Sequence, residues 1–325
     1  MKKNLSTLGF GLFIALFAVS VLASCNNDDE MDNTPSTPTD ADIAMVAAGN
    51  ENFTSLVAAL QKADLVDALK SPGPYTVFAP TNEAFSAFLA DKGFDDLNDV
   101  PENILTAILL NHVVEGEVKS TDLKQGYIST LASEASSQNE LSIYVDLSSG
   151  VVINGSSMVT TPDVEASNGV IHVIDAVIDI PSVVTHALSN DNFTTLVSAL
   201  TANGLSTDFV SVLSGAGPFT VFAPTNAAFE ALLNSNPDWN SLGDIPTDIL
   251  EKVLTYHVIA GANVLSSNLA DGMKVTALSG DNFTINIGGD NVTITDANGN
   301  IANIIAVDVQ AGNGVIHVLD KVILP

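Results

Sequence analysis

The five histidines are the only side chains of this sequence that ordinarily titrate near neutral pH, so acid–base chemistry would start from them. His112 and His257 each lie on the apolar face of a predicted helix. His172 and His317 alternate with apolar residues in predicted strands. A lone histidine on such a face usually satisfies its ring nitrogens with backbone groups inside a core. We therefore predict structural roles for all four.

Other catalytic patterns are missing from the sequence. It has no Gly-x-Ser-x-Gly nucleophile elbow and no His-Glu-x-x-His metal box. Residues 296–300 begin like an EF-hand calcium loop, but Ile301 stands where that loop needs glycine and Val307 where it needs a bidentate acid. We predict no catalytic residue, no metal site and no cofactor.

The first 24 residues have the pattern of a signal peptide. Two lysines precede the apolar stretch 8–22, and Leu-Ala-Ser-Cys follows at 22–25. That box resembles the bacterial lipobox, which implies that Cys25 is diacylated and becomes the new N-terminus. The alternative is that Cys25 is an incidental small residue at an ordinary cleavage site. Cys25 is the single cysteine, so the sequence predicts no disulfide.

Residues 25–40 are predicted to be an acidic, disordered tether. Asp, Thr and Pro dominate the segment, which lacks the apolar residues that could offset its ordering entropy. The run Asp28-Asp29-Glu30 resembles the export signal of Bacteroidota lipoproteins; a plain soluble spacer is the alternative. We expect a lipid-anchored protein of the outer membrane, at the cell surface or, alternatively, on the periplasmic face.

The charge balance is strongly acidic. The chain has 10 lysines, no arginine and 38 Asp plus Glu, for a net charge of −28. Nucleic acids and anionic membrane surfaces are bound through Lys and Arg, so both would repel this protein. The charge favours a cationic partner or a loose atmosphere of divalent ions.

The sequence repeats itself. YTVFAPTNEAF at 75–85 returns as FTVFAPTNAAF at 219–229, identical at 9 of 11 positions, and NGVIHVIDAVI at 168–178 returns as NGVIHVLDKVI at 313–323. Matched blocks in the same order indicate a duplicated domain.

We predict domains at 41–181 and 182–325. Because no Gly/Ser/Pro-rich linker separates them, they should pack with limited freedom. In each domain helical periodicity comes first and alternating strands follow, with tight turns predicted at Asn154-Gly155 and Asn298-Gly299. The fold class is α+β, with helices leading, an antiparallel sheet following, and a last strand buried on both faces.

The TVFAPTN block, a helix ending in Tyr256-His257 and the closing NGVIHV block resemble the fasciclin-like domain, twice over. The resemblance covers nearly all of 41–325. It implies that each domain is a seven-strand β-sandwich wedge with flanking helices, acting in adhesion or extracellular-matrix binding. The first domain departs from the pattern, with Asn111-His112 in place of the Tyr-His pair.

In animal adhesion proteins of this family, an Asp-Ile pair before the closing block is associated with integrin contact. The matching pairs are Asp163-Val164 and Asp308-Val309, with valine for isoleucine. The alternative is structural: the aspartate ends an edge strand and the valine is core. Partner choice should otherwise lie in segments that differ between the copies, such as 117–150 and 262–290.

Together these observations predict a surface lipoprotein that is not an enzyme. Its two domains would mediate adhesion by binding an extracellular or cell-surface protein or glycan, with the membrane reached through the lipid on Cys25. The alternative function is binding of a small-molecule or glycan ligand for an uptake system. A hydrolase would require turnover that depends on His112 or His257.

Overall fold

The computed structural model describes residues 40–289 and 291–325. Within them, each predicted domain contains five α-helices and seven strands in the same order. In the first domain these are α1 Ile43–Ala48, α2 Thr54–Lys62, α3 Val66–Lys70, β1 Tyr75–Pro80, α4 Asn82–Lys92, α5 Glu102–Leu110, β2 Val113–Glu115, β3 Gly126–Ser133, β4 Glu140–Asp146, β5 Val152–Ile153, β6 Ser157–Ala166 and β7 Gly169–Ile174. In the second they are α6 Val183–Ser189, α7 Thr194–Leu200, α8 Phe209–Leu213, β8 Phe219–Pro224, α9 Asn226–Asn234, α10 Thr247–Tyr256, β9 Val258–Ala260, β10 Lys274–Thr276, β11 Asn282–Gly288, β12 Asn291–Thr295, β13 Ile301–Ala311 and β14 Gly314–Leu319.

The seven strands of each domain form one sheet, in the order β2-β1-β7-β6-β5-β4-β3 in the first domain and β9-β8-β14-β13-β12-β11-β10 in the second. The prediction of an antiparallel sheet is wrong for one pair in each domain. β1 runs parallel to β7, with Tyr75 opposite Gly169, and β8 runs parallel to β14. Parallel neighbours need a long crossover, and here almost the whole domain lies between the paired strands, so local alternation gave no sign of the pairing.

Each sheet packs on two cores. In the first domain the larger core joins the helices to the sheet and includes Phe53, Phe85 and Leu105. The smaller core lies between two parts of the sheet and includes Phe78 on β1 and Ile143 on β4. β6 makes this possible because its pairing with β7 shifts register twice. The sheet therefore closes on itself as a wedge, with helices on one side.

The Thr-Asn of each TVFAPTN block ties the helices together. The hydroxyl of Thr81 caps α4 by accepting the backbone N–H of Ala84 at 3.2 Å. Asn82 reaches the start of α2, where its Oδ1 accepts the N–H of Ser55 at 2.9 Å. Thr225 and Asn226 make the same two contacts in the second domain. This block is therefore explained by folding alone.

The asparagine of each NGVIHV block also connects helices through hydrogen bonds. Asn168 Oδ1 accepts the N–H of Ile43 at the start of α1, and its Nδ2 donates to the carbonyls of Leu69 and Ser71 at the end of α3. Asn313 repeats all three bonds in the second domain. One amide thus fastens two helices to the turn between the last two strands.

Two local predictions are confirmed. Asn154 and Gly155 form the turn between β5 and β6 with φ of 49° and 68°, the left-handed pair that a tight hairpin requires. The last strand, which the mostly apolar run 315–324 predicts, is buried along its whole length, but the strand itself ends earlier than that run, at Leu319.

The two domains pack directly against each other. Tyr127 on β3 packs against the core of the second domain, and its ring meets the ring of His186 edge-on, with centroids 5.3 Å apart. Asn190 Nδ2 donates to the hydroxyl of Tyr127 at 3.2 Å. Further along, the N–H of Gln310 donates to the hydroxyl of Ser142 at 3.1 Å. This contact agrees with the absence of a flexible linker.

Candidate functional site

The Asp163-Val164 pair lies in a bulge of β6. Asp163 has a left-handed backbone, with φ of 60°, and the pairing with β7 shifts register between Thr161 and Val164. Its carboxylate accepts the N–H of Ser120 at 2.7 Å and the Ser120 hydroxyl at 2.5 Å. Burial raises the pKa of Asp163, but the bonds from Ser120 outweigh burial and hold that pKa below its usual range.

The Asp308-Val309 pair occupies the same bulge in β13. Asp308 has φ of 58°, and its carboxylate accepts both the N–H and the hydroxyl of Ser266. Val309 is buried, with 4% of its surface exposed. In both domains the carboxylate is therefore engaged inside its own domain, where it fastens the loop that follows β2 or β9 to the bulge.

The two bulges differ in what they expose. In β13, as in β6, the pairing with the last strand shifts register twice. Ile305 and Val307, two residues apart on β13, are both at the surface, 58% and 43% exposed. The matching residues of β6 are Thr160 and Pro162, also exposed. An acidic bulge flanked by isoleucine and valine thus exists on the second domain, whereas threonine and proline flank the bulge of the first.

The four histidines singled out in the sequence bond to backbone through both ring nitrogens. His112 Nδ1 donates to the carbonyl of Ile108 at 2.7 Å, and its Nε2 accepts the N–H of Ile178 at 2.9 Å. His257 makes the matching bonds to Val253 and Ile323. Burial lowers the pKa of both His112 and His257 to about 4. Neither ring has a nitrogen left for a substrate.

His172 and His317 hold the two bulges. His172 Nδ1 accepts the N–H of Asp163 at 3.2 Å, and its Nε2 donates to the carbonyl of Val118 at 2.9 Å. His317 bonds to the N–H of Asp308 and the carbonyl of Val264 in the same way. Each histidine therefore joins the bulge to the loop after β2 or β9.

Tyr256 and its counterpart Asn111 are both buried. The hydroxyl of Tyr256 donates to the carbonyl of Asn282 at 2.8 Å, and burial raises the pKa of Tyr256 to about 12. Asn111 instead donates from Nδ2 to the carbonyl of Asp179 and accepts the hydroxyl of Thr130. Asn111, although shorter than Tyr256, therefore also forms hydrogen bonds inside its domain, but with different partners.

Sequence reasoning missed His186, the fifth histidine. It is fully buried at the contact between the domains, where Nε2 lies 3.4 Å from the carbonyl oxygen of Gln310 and Nδ1 has no hydrogen-bond partner. Burial lowers the pKa of His186 to about 4. On its helix it resembles an ordinary core residue, and nothing in a single sequence pairs it with Tyr127.

A metal centre needs several ligating side chains close together. Residues 40–289 and 291–325 contain no group of three or more His, Cys, Asp or Glu that could hold a metal ion. None of the helices in these ranges is long and apolar enough to cross a membrane. Cys25, the signal peptide 1–24 and all but the last residue of the tether 25–40 lie outside the described residues.

Comparison with known proteins identifies the fold. The family model described as the fasciclin domain matches twice, at residues 51–181 and 191–325. This chain belongs to the fasciclin domain family. Since each match carries one copy of both repeated blocks, the duplication is a tandem pair of fasciclin domains. The predicted domains 41–181 and 182–325 each begin before the matched residues, and these bounds stay a prediction.

Several relatives contain similar fasciclin domains. Protein sll1483 of Synechocystis is 46% identical over 138 residues, which are 42% of this chain and 72% of that protein. Transforming growth factor-beta-induced protein ig-h3 of Sus scrofa is 33% identical over 264 residues, 79% of this chain and 35% of that protein. Human periostin is 30% identical over 267 residues, 80% of this chain and 29% of that protein. The chain thus spans about a third of these two animal relatives.

A solved structure shares the paired arrangement. The fasciclin domain pair of the insect cell adhesion molecule fasciclin I matches with a TM-score of 0.54 and 18% identity, covering 85% of this chain and 98% of that chain. At this identity the match supports the fold alone. At a coarse level, the fasciclin family relates this protein to adhesion and extracellular protein binding, and none of these relatives is named as an enzyme.

Proposed function

We propose that this protein is a surface-anchored lipoprotein whose fasciclin domains mediate adhesion by binding an extracellular or cell-surface protein. The observation that carries the proposal is the bulge of β13, where Ile305 and Val307 lie exposed beside Asp308. Exposed apolar side chains next to a rigid, acidic backbone feature are typical of a protein-binding patch. Membership of the fasciclin domain family, which also includes the animal relatives ig-h3 and periostin, supports the same function.

The rigidity of this patch favours binding. Two sets of bonds hold the bulge: Ser266 donates to the Asp308 carboxylate, and the His317 ring joins the N–H of Asp308 to the carbonyl of Val264. A surface that is already ordered loses little conformational entropy when a partner docks. The net charge of −28 favours a partner that presents basic residues around an apolar centre.

Binding is tested by removing the apolar side chains of the second bulge. In the variant Ile305→Thr with Val307→Thr, adhesion to cells and to arrays of matrix proteins and glycans should fall by at least about tenfold, because the apolar centre is lost. The matched control is Ile249→Thr on α10, a residue 42% exposed and so comparable to Val307. Equal loss in both variants, or binding that tracks glycans alone, would count against this patch.

Anchoring is tested separately at Cys25. We expect metabolic labelling with a fatty acid to modify the wild-type protein and not Cys25→Ser, and antibodies to reach the wild type on intact cells. Absence of label with the leader retained would remove the lipoprotein part of the proposal. Labelled protein that antibodies reach only after the outer membrane is permeabilised would place it on the periplasmic face.

A further inference from the structure

A cavity of about 200 Å³ lies in the second domain, between the helices α6, α7 and α8 and the sheet. Leu188 and Val210 line it and are 64% and 38% exposed, so the cavity reaches the surface between α6 and α8. Ile305 and Val307 do not line it. Whatever fills this space is therefore independent of the surface proposed for adhesion.

The walls of this cavity are almost wholly hydrocarbon. His257 and Thr201 are the two polar side chains among the residues that line it. Both nitrogens of His257 are bonded to backbone, and the Thr201 hydroxyl donates to the carbonyl of Val197 at 2.9 Å. A polar group buried here would find no partner and would lose its bonds to water.

The first domain is built differently at the same place. The block NFTSLVAAL at 52–60 returns as NFTTLVSAL at 192–200, an offset of 140, whereas the TVFAPTN blocks that follow are offset by 144. Four additional residues therefore lie between Leu200 and Phe219, the stretch that contains α8. α7 ends at Leu200, whereas α2 continues to Lys62, whose amine donates to the carbonyls of Leu97, Asn98 and Val100. The cavity in this part of the first domain holds about 120 Å³, and Val57, the counterpart of Val197, does not line it.

We propose that the second domain binds one hydrocarbon chain of medium length with an uncharged head group in this cavity. An apolar cavity of about 150 Å³ already holds benzene, so a somewhat longer alkyl chain fits here. The head group must stay at the mouth, because the interior offers it no free donor or acceptor. An anionic head would find no counter-ion in the wall, since none of the residues that line the cavity is Lys or Arg, Leu188 and Val210 at its mouth included.

The test uses n-octanol with the full-length chain carrying Cys25→Ser, so that no acyl chain of its own competes. We expect n-octanol to raise the melting temperature and to give nuclear Overhauser effects to the methyl groups of Leu188, Val197 and Leu200. No shift and no contact at saturating n-octanol would overturn the proposal, as would contacts confined to residues outside the cavity.

Two matched variants locate the site. Val197→Phe fills the cavity and should abolish the melting shift, while Val57→Phe makes the same change in the first domain and should keep it. Persistence of the shift in Val197→Phe contradicts the proposal. Since the wild-type protein supplies the methyl contacts directly, the proposal can be decided even if Val197→Phe folds poorly.

Two further probes test the chemistry of the ligand. The α,ω-octanediol has the same chain but must bury a hydroxyl, so it should bind at least about tenfold more weakly than n-octanol. Octanoate should also bind more weakly, because the mouth lacks a cation. Equal binding of the diol would refute a dry hydrocarbon site, and tighter binding of octanoate would refute the uncharged head group.

Discussion

The hydroxyl of Tyr127 in the first domain donates a hydrogen bond to the carbonyl oxygen of His186 in the second, 3.3 Å away. The same hydroxyl accepts the amide of Asn190. One side chain of β3 thus bonds to both the middle and the end of α6. The fasciclin pair is held together by a specific contact and not only by the short connection between its domains.

Removing this contact should uncouple the domains. Tyr127→Ala loses two hydrogen bonds of about 1 kcal/mol each and the ring contact with His186. Trp239, the single tryptophan, packs against the core of the second domain and reports that domain alone. We expect tryptophan fluorescence and far-ultraviolet circular dichroism to melt together in the wild type and apart in Tyr127→Ala. In the control Tyr75→Ala, which weakens the first domain away from the contact, the two signals should stay coincident.

The buried histidines should make the protein sensitive to mild acid. Burial lowers the pKa of His112, His186 and His257 to about 4, whereas each titrates near 6.5 when unfolded. The unfolded chain then binds more protons between these values, so stability is full above pH 6.5 and falls as the pH drops towards 4. Each histidine contributes up to about 3 kcal/mol to this loss.

His186→Phe isolates one of these contributions. The phenyl ring can keep the edge contact with Tyr127 and removes a buried nitrogen that lacks a partner. The other titratable group against His186 is Tyr127, which stays neutral because burial raises its pKa. Urea unfolding at pH 7 and pH 4 should show a smaller difference in His186→Phe than in the wild type. An unchanged difference would mean that His186 is protonated in the folded protein.

The aspartates of the bulges should prove structural when they are replaced. Asp163→Asn can keep the left-handed backbone, which asparagine tolerates, and should cost about 1 kcal/mol of unfolding free energy. Asp163→Ala loses the bonds from Ser120 and places a residue that disfavours this backbone, so we expect about 3 kcal/mol. Chemical denaturation measures both, with the exposed Asp67→Asn as control. Equal costs for Asn and Ala would show that neither the remaining bond from Ser120 nor the left-handed backbone adds to stability.

The asparagines of the closing blocks should be among the most sensitive polar residues. Asn313→Ala deletes three hydrogen bonds, to Val183, Leu213 and Gly215, and should lower the free energy of unfolding by about 3 kcal/mol. Because α6 and α8 are both released, backbone amides there should exchange hydrogen faster than in the wild type. Asn192→Ala, an exposed asparagine on the same domain, should change neither quantity. A loss below about 1 kcal/mol would show that water replaces the amide.

Much of the fold could be read from the sequence because it follows local rules. Thr81 caps a helix, Asn154-Gly155 makes a hairpin turn, and the two copies repeat these signals in the same order. The parallel strands could not be found in this way, since β1 and β7 pair across almost the whole domain. Alternation reports which face of a strand is buried and not which strand lies beside it.

The resemblance to the fasciclin-like domain located the candidate site in the sequence, but it did not show what the site residues do. The sequence drew attention to Asp163 and Asp308 and left open whether they bind a partner or have a structural role. Only the structure relates their carboxylates to Ser120 and Ser266, and only the structure shows that both aspartates lie where the pairing of the strand shifts register. Irregular strands break the periodicity on which such reasoning depends.

The structure of the junction between the domains should protect the protein from proteases outside the cell. Pro181 is buried, and its carbonyl oxygen accepts the N–H of Gly312 at 2.7 Å. Proteases cut where the chain is exposed and flexible, whereas the chain at Pro181 is buried and hydrogen-bonded. Digestion by enzymes in the surroundings should therefore spare the bond between the domains, so that the pair is retained or shed as a single piece.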